Sequence, residues 1–111
     1  MLNVGVDIIE TARFKPVRHL ARLGEFFLTP KELAQAGKAP DIHQFYASRF
    51  ALKEAVIKAV PEPLKYLDFE IIKSGRAPKV RFLIKRLNKY KVAVSLSHTE
   101  ISCIGFAAAS F

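Results

Sequence analysis

The chain has 111 residues, with 18 lysines and arginines against 10 aspartates and glutamates, and half of its residues are hydrophobic. That length suits one domain, residues 1–111, with a modest core, and the hydrophobic content is too high for a disordered tail. No apolar run approaches the roughly 18 residues of a membrane span, and the N-terminus lacks a signal-peptide pattern. We therefore expect a cytoplasmic protein with no membrane partner, in which the lone Cys103 is a buried core thiol.

The net charge of +8 predicts an anionic partner. Nucleic acid, anionic lipid, an acidic protein and a phosphorylated cofactor all fit this charge. The positive charge is concentrated late in the chain, since residues 73–91 contain eight basic side chains and no acidic one.

The first half of the chain predicts one strand and two short helices. In residues 2–8 apolar side chains alternate along the sequence, which predicts a strand that ends near Asp7. Residues 15–23 have helical spacing, which would place Arg18 and Arg22 on one exposed face. The run Thr29-Pro30-Lys31-Glu32 has the pattern of a capping box, and it predicts a short helix that ends at Gly37.

A long helix and several strands follow. Asp41 is a suitable cap for a helix over residues 42–60, which the prolines at 61 and 63 would end. This helix is apolar around most of its circumference, which indicates a central position in the core. Strands are predicted over residues 67–72, 80–84, 92–96 and 101–107, the last two as a hairpin. Helices followed by strands favour an α+β fold.

The common signatures of phosphate loops, paired metal-binding histidines and nucleophile elbows are absent from the sequence. Charged residues nevertheless interrupt the central helix at Arg49, Lys53, Glu54 and Lys58. One interpretation is an i,i+4 ion pair between Glu54 and Lys58 beside a solvated basic edge. Another is that Glu54 and Asp7 bind a hard cation such as Mg²⁺, while Lys58 and Arg49 hold the phosphates that accompany it. Spacing alone leaves both open.

Four segments, residues 5–14, 27–33, 48–59 and 94–109, resemble the holo-acyl-carrier-protein synthases in order and spacing. These enzymes are a small family of 4'-phosphopantetheinyl transferases. The most specific matches are Asp7-Ile8 and the run from Arg49 to Ala55 with Lys58. The resemblance implies an antiparallel sheet packed on a long central helix, and a homotrimer. It also implies Mg²⁺-dependent transfer of the 4'-phosphopantetheine arm of coenzyme A to a serine of acyl carrier protein, for fatty acid biosynthesis, with release of adenosine 3',5'-bisphosphate.

The resemblance also implies roles for individual residues. Asp7 and Glu54 would bind the Mg²⁺, and Glu54 or a water on the metal would accept the serine proton. Lys58 would stabilise the departing phosphate. The residues expected to contact coenzyme A are Arg49, Lys53, Lys58 and His98. For His98 the alternative is a turn histidine with no role. The residues expected to contact the acidic carrier are Arg13, Arg18, Arg22 and Phe50, against the alternative of a solvated basic face.

Two alternatives come from other functional classes. Residues 73–91, with Phe82 and Tyr90 among the basic side chains, could form a noncatalytic RNA-binding module. An inactive adaptor would use the same basic face to bind a carrier without metal. The transferase interpretation expects no nucleic acid partner. Two segments depart from the family pattern, Pro61-Glu62-Pro63 after the central helix and Gly75-Arg76-Ala77-Pro78 in a later turn.

Overall fold

The computed structural model of the chain describes residues 1–111, apart from the side chain of Ser74. Within these residues the chain forms five strands and three α-helices. In chain order they are β1 (Leu2–Glu10), α1 (Leu20–Gly24), α2 (Pro30–Ala36), α3 (Ile42–Ala59), β2 (Phe69–Ser74), β3 (Ala77–Phe82), β4 (Lys91–His98) and β5 (Ser102–Ser110). Short 3-10 turns occupy Thr11–Arg13, Tyr66–Asp68 and Lys85–Lys89. The predicted α+β class is confirmed.

The strands form two antiparallel sheets. The larger has the order β1-β5-β4, and the smaller is the β2-β3 hairpin. Asp7 pairs with Gly105 across the β1-β5 ladder, and Gly5 pairs with Ala107. Because side chains alternate along a strand, Gly5 and Asp7 share the face of the sheet that α3 covers.

Helix α3 packs directly on the backbone of the larger sheet at two glycines. A β-carbon on Gly5 would lie 2.1 Å from the carbonyl oxygen of Ala55, and one on Gly105 would lie 2.6 Å from that of Ala51. Only glycine permits this approach. The contact at Gly5 places β1, and with it Asp7, beside the C-terminal half of α3.

The predicted helix caps are confirmed. Thr29 Oγ1 accepts from the Glu32 amide at 3.3 Å, and Glu32 Oε1 accepts from the Thr29 amide at 2.9 Å. The side chain of Asp41 accepts from the Gln44 amide at 3.1 Å. Each bond satisfies an amide that the first turn of a helix leaves free. Helix α3 ends at Ala59, one residue short of the prediction.

Three local predictions need correction. The helix predicted over residues 15–23 is wrong, because only Leu20–Gly24 is α-helical and the preceding segment turns to bury Phe14 in the core. Arg18 consequently lies before α1 and shares no helical face with Arg22. Strand β1 continues past Asp7, since β5 pairs with it over its whole length. The third strand begins earlier than predicted because Gly75, at φ +65°, closes the β2-β3 turn.

The core contains the buried Cys103, as expected, with its sulfur 3.3 Å from Ser48 Oγ. The predicted hairpin at the end of the chain is the β4-β5 pair. Among the helices of the described residues, none has the length and apolar character needed to cross a membrane.

Candidate active site

Strand β1 and helix α3 together present a carboxylate and a lysine. The Lys58 ammonium donates to Val6 O at 2.9 Å and to Asp7 Oδ1 at 3.3 Å. The i,i+4 ion pair between Lys58 and Glu54 is therefore not formed. Asp7 Oδ2 is buried and has no hydrogen-bond partner among the described side chains.

Glu54 is half-buried on α3 and accepts a hydrogen bond from the Tyr66 hydroxyl through Oε1. Burial raises the pKa of Tyr66 to about 12, and the hydrogen bond and the charges of Glu54 and Asp7 add to this rise. Lys58 contacts Asp7 and follows Glu54 by about one turn of α3, so Asp7 and Glu54 lie on the same side of the helix. Sequence reasoning missed Tyr66, because nothing in its spacing connects it with Glu54.

These two carboxylates suit a hard cation. Mg²⁺ in proteins commonly takes one or two carboxylates and completes its shell with water and substrate phosphates. The buried, unpartnered Oδ2 of Asp7 is a donor of the right chemistry. Within the described part of the chain no group of three or more His, Cys, Asp or Glu could hold a metal ion, so a cation here would need oxygens from the substrate.

Lys53 takes a different place from the one predicted. Its ammonium lies 2.8 Å from Glu32 Oε1 and donates to Tyr66 O at 2.7 Å and to Phe69 O at 2.9 Å. These partners use all three ammonium protons, and the side chain is fully buried. Burial lowers the pKa of Lys53, and the neighbouring Glu32 carboxylate opposes that shift. With these partners, Lys53 has no ammonium proton left for a phosphate of the cofactor.

Arg49 lines a cleft of about 500 Å³ on another side of the helix. Its guanidinium donates to Gln35 Oε1 at 3.2 Å and stacks 4.6 Å from the ring centre of Phe45. Burial lowers the pKa of Arg49, and Glu32 counteracts the shift. Its Nε is buried without a partner among the described residues, so the side chain retains a donor for an anion.

His98 lines the same cleft as Arg49. Gln44 Nε2 lies 2.6 Å from His98 Nδ1, and with Nδ1 as the acceptor the ring proton is on Nε2, available to a phosphate. An adjoining cleft of about 430 Å³ is also lined by Arg49 and His98, together with Lys73 and Arg76. Part of the late basic tract therefore belongs beside the predicted phosphate ligands, which spacing along the chain did not indicate.

The predicted carrier contacts begin at Arg13, whose guanidinium lies 5.3 Å from the ring centre of Phe50. Both line a small hollow of about 260 Å³ with Phe26 and Tyr66. Phe26 and Tyr66 also line the cleft that contains Glu54, so the two depressions adjoin. The remaining predicted contacts, Arg18 and Arg22, are exposed.

The predicted site residues therefore form two groups. Asp7, Glu54 and Lys58 lie around the junction of β1 and α3, whereas Arg49 and His98 line a separate cleft. Arg49 precedes Glu54 by five positions, which corresponds to a rotation of about 140° around the helix. A single chain does not bring the two groups into one pocket among those described.

The RNA alternative fits the structure less well. Phe82 is half-buried against Phe69, with the ring centres 6.2 Å apart, and Tyr90 is buried with its hydroxyl 2.5 Å from Glu62. Both rings pack against the core, which reduces the aromatic surface available for base stacking. Glu62 also pairs with two basic side chains of the tract, those of residues 86 and 89.

A family model described as the 4'-phosphopantetheinyl transferase superfamily matches residues 3–107. The chain is 34% identical over 109 residues to a holo-[acyl-carrier-protein] synthase of Chlamydia felis, covering 90% of this chain and 89% of the relative. It is 33% identical to the synthase of Chlorobaculum parvum, covering 96% of each chain.

Solved structures of similar proteins agree with this result. The holo-[acyl-carrier-protein] synthase of Helicobacter pylori, in complex with coenzyme A, superimposes with a TM-score of 0.82 at 28% identity, covering 96% of this chain and 99% of that one. The synthase of Bacillus anthracis, in complex with CoA (3',5'-ADP), gives a TM-score of 0.81 at 28% identity, covering 96% and 94%.

Proposed function

Because the chain belongs to the holo-[acyl-carrier-protein] synthases of the 4'-phosphopantetheinyl transferase superfamily, we propose that it converts an apo acyl carrier protein to the holo form. The predicted family and enzyme class are confirmed. In the proposed reaction the phosphopantetheine arm of coenzyme A passes to a carrier serine, and adenosine 3',5'-bisphosphate is released. The cytoplasm and fatty acid biosynthesis are the proposed setting. The contact of Lys58 with Asp7, about one helical turn from Glu54 on α3, is the observation that supports the proposal.

The reaction exchanges one phosphorus–oxygen bond for another. The serine oxygen attacks the phosphorus nearer to the pantetheine, and the bond from that phosphorus to the bridging oxygen breaks. The Glu54 carboxylate, or a water on the cation, would accept the serine proton. The Lys58 ammonium, half-exposed beside Asp7, would neutralise charge on the departing phosphate. Such a transfer needs positioning and charge neutralisation more than a protein nucleophile, which agrees with the missing nucleophile motifs.

Asp7 and Glu54 would hold Mg²⁺. When bound, the ion would neutralise charge on the coenzyme A pyrophosphate and orient it. The free Oδ2 of Asp7 and the second oxygen of Glu54 are the atoms that support this assignment.

Arg49 and His98 would bind other phosphates of coenzyme A, with help from Lys73 and Arg76. Since Arg49 and His98 lie apart from Glu54 within one chain, we propose that neighbouring copies in a homotrimer complete the site for each other. The outer face of the larger sheet is apolar and exposed, as an interface between copies would require. Its large side chains are Leu2, Val4, Val6, Ile8, Ile104 and Phe106.

The carrier would dock over Arg13 and Phe50. The hollow that they line adjoins the Glu54 cleft, so a carrier seated there would bring its serine toward the carboxylate. Arg18 and Arg22 are exposed and would add attraction for an acidic partner.

The test is incubation of the protein with several apo acyl carrier proteins, coenzyme A and Mg²⁺, followed by mass spectrometry of the carrier. We expect the mass to increase by that of the phosphopantetheine arm, and the increase to be lost when EDTA replaces Mg²⁺. A folded protein that binds carriers but modifies none would favour the adaptor alternative. Tight, salt-sensitive RNA binding that coenzyme A does not affect would favour the RNA alternative.

A further inference from the structure

Glu54 has two possible partners in this fold. Lys58 follows it by four positions, a spacing at which glutamate and lysine on a helix attract each other. The structure instead gives one oxygen of Glu54 to the Tyr66 hydroxyl and directs Lys58 to Asp7 and Val6 O. Tyr66 is thus the group that determines where the Glu54 carboxylate lies.

The position of Tyr66 is itself held from two sides. Its backbone carbonyl accepts from Lys53 Nζ at 2.7 Å, and Lys53 is anchored by its buried ion pair with Glu32. Its ring packs against Phe50 and Phe27, with centres 5.8 Å and 6.4 Å apart. Because the ring is held in this way, its hydroxyl can reach few positions. In the position that it takes, it donates to the Glu54 carboxylate.

We propose that Tyr66 is a positioning residue for the transfer, whose hydroxyl holds one oxygen of Glu54 and leaves the other available to the cation and the serine. This inference rests on the proposed function. Without the hydroxyl, Glu54 would be free to turn toward Lys58, and both groups would be drawn away from the phosphates. The buried Lys53 contributes to the site by supporting Tyr66.

The test compares Tyr66→Phe with Tyr90→Phe. Tyr90 donates to Glu62 in the same way, but this pair lies outside the site, so it provides a matched control. We expect Tyr66→Phe to lower kcat about tenfold and to raise the half-saturating Mg²⁺ concentration, because a hydrogen bond to a charged group is lost. The KM for the carrier should stay within about twofold. Tyr90→Phe should leave all three quantities unchanged.

A second measurement does not depend on turnover. Mn²⁺ binding is followed by electron paramagnetic resonance with coenzyme A present and no carrier. Its dissociation constant should rise about fivefold in Tyr66→Phe and stay constant in Tyr90→Phe. Unchanged kcat and Mn²⁺ affinity in Tyr66→Phe would overturn the proposal. A structural role would also overturn it. That role would appear in Tyr66→Phe as a large fall in melting temperature together with a rise in the KM for the carrier that matches the loss of kcat. An inactive wild type would instead overturn the proposed function.

Discussion

The ammonium group of Lys53 lies 2.8 Å from the carboxylate of Glu32, and both side chains are buried. The other oxygen of Glu32 accepts from the Ile71 amide at 2.9 Å, so the pair joins α3, α2 and β2. Its position explains why a lysine interrupts an otherwise apolar stretch of the central helix.

Replacing Lys53 with methionine should destabilise the protein by about 3 to 5 kcal/mol, because it leaves the Glu32 carboxylate buried without its partner. Urea unfolding followed by circular dichroism measures this loss. Where the variant is still folded, its KM for coenzyme A should change by less than about twofold. Lys31→Met, at an exposed position on α2, is the control and should be near wild type in both respects. If Lys53→Met kept wild-type stability but had a raised KM for coenzyme A, the result would support a cofactor contact for Lys53.

Asp7→Asn and Glu54→Gln should each lower kcat about 100-fold or more, since each removes a charge from the proposed cation site. Carrier binding, measured by surface plasmon resonance, should remain close to wild type. Glu100→Gln, an exposed acid near His98 in sequence, serves as the control for loss of a carboxylate. Wild-type rates in either site variant would remove its residue from the metal assignment.

Gly5→Ala should cost about 3 kcal/mol, because the added methyl would overlap the carbonyl oxygen of Ala55 and push β1 away from α3. Gly37→Ala is the matched control, since its β-carbon would meet nothing closer than 3.6 Å, and it should change stability by less than about 0.5 kcal/mol. Thermal unfolding distinguishes the two. If the two variants were equally stable, the sheet and the helix could separate at Gly5 without loss of stability.

Arg13→Glu should raise the KM for an acidic carrier about tenfold at low salt and leave the KM for coenzyme A unchanged, because Arg13 lies over Phe50 beside the carrier hollow. The difference from wild type should shrink as salt is added. Lys85→Glu makes the same charge change at an exposed position elsewhere. If both variants weaken carrier binding equally, net charge and not a docking face accounts for recognition.

The tyrosines should titrate above their ordinary value of pH 10. Burial raises the pKa of Tyr46. The pKa of Tyr90 is raised mainly by its hydrogen bond to Glu62, and burial adds to this rise. Burial and Glu54 raise the pKa of Tyr66 to about 12. A raised pKa in the folded state contributes stability that is fully present below pH 10 and is lost as the pH rises through the folded-state pKa.

Absorbance at 295 nm, which reports the phenolate, provides the measurement. In the native protein well under half of the tyrosines should be ionised at pH 10, whereas in urea about half should be. Thermal stability should fall between pH 10 and pH 12, and less steeply in Tyr66→Phe. Half-ionisation at pH 10 without denaturant would contradict the raised pKa values.

Features with local causes could be predicted from the sequence. The capping box at Thr29, the cap at Asp41 and the end of α3 before Pro61 each depend on groups a few residues apart, and all three occur as expected. The final hairpin follows from two neighbouring strand patterns, and the α+β class follows from the order of helices and strands along the chain. The prediction of a helix over residues 15–23 was wrong, because burial of Phe14 outweighed a weak helical preference.

The partners of the charged side chains were decided by the tertiary structure. Lys53 and Lys58 look alike in the sequence, yet the side chain of Lys53 is 0% exposed beside Glu32 and that of Lys58 is 51% exposed beside Asp7, which is 51 positions away. Tyr66 is matched with Glu54 by the same long-range packing. A long polar side chain can reach partners on several sides of its helix. Which partner it meets depends on the strand or turn that packs there, and no spacing along the chain contains that information.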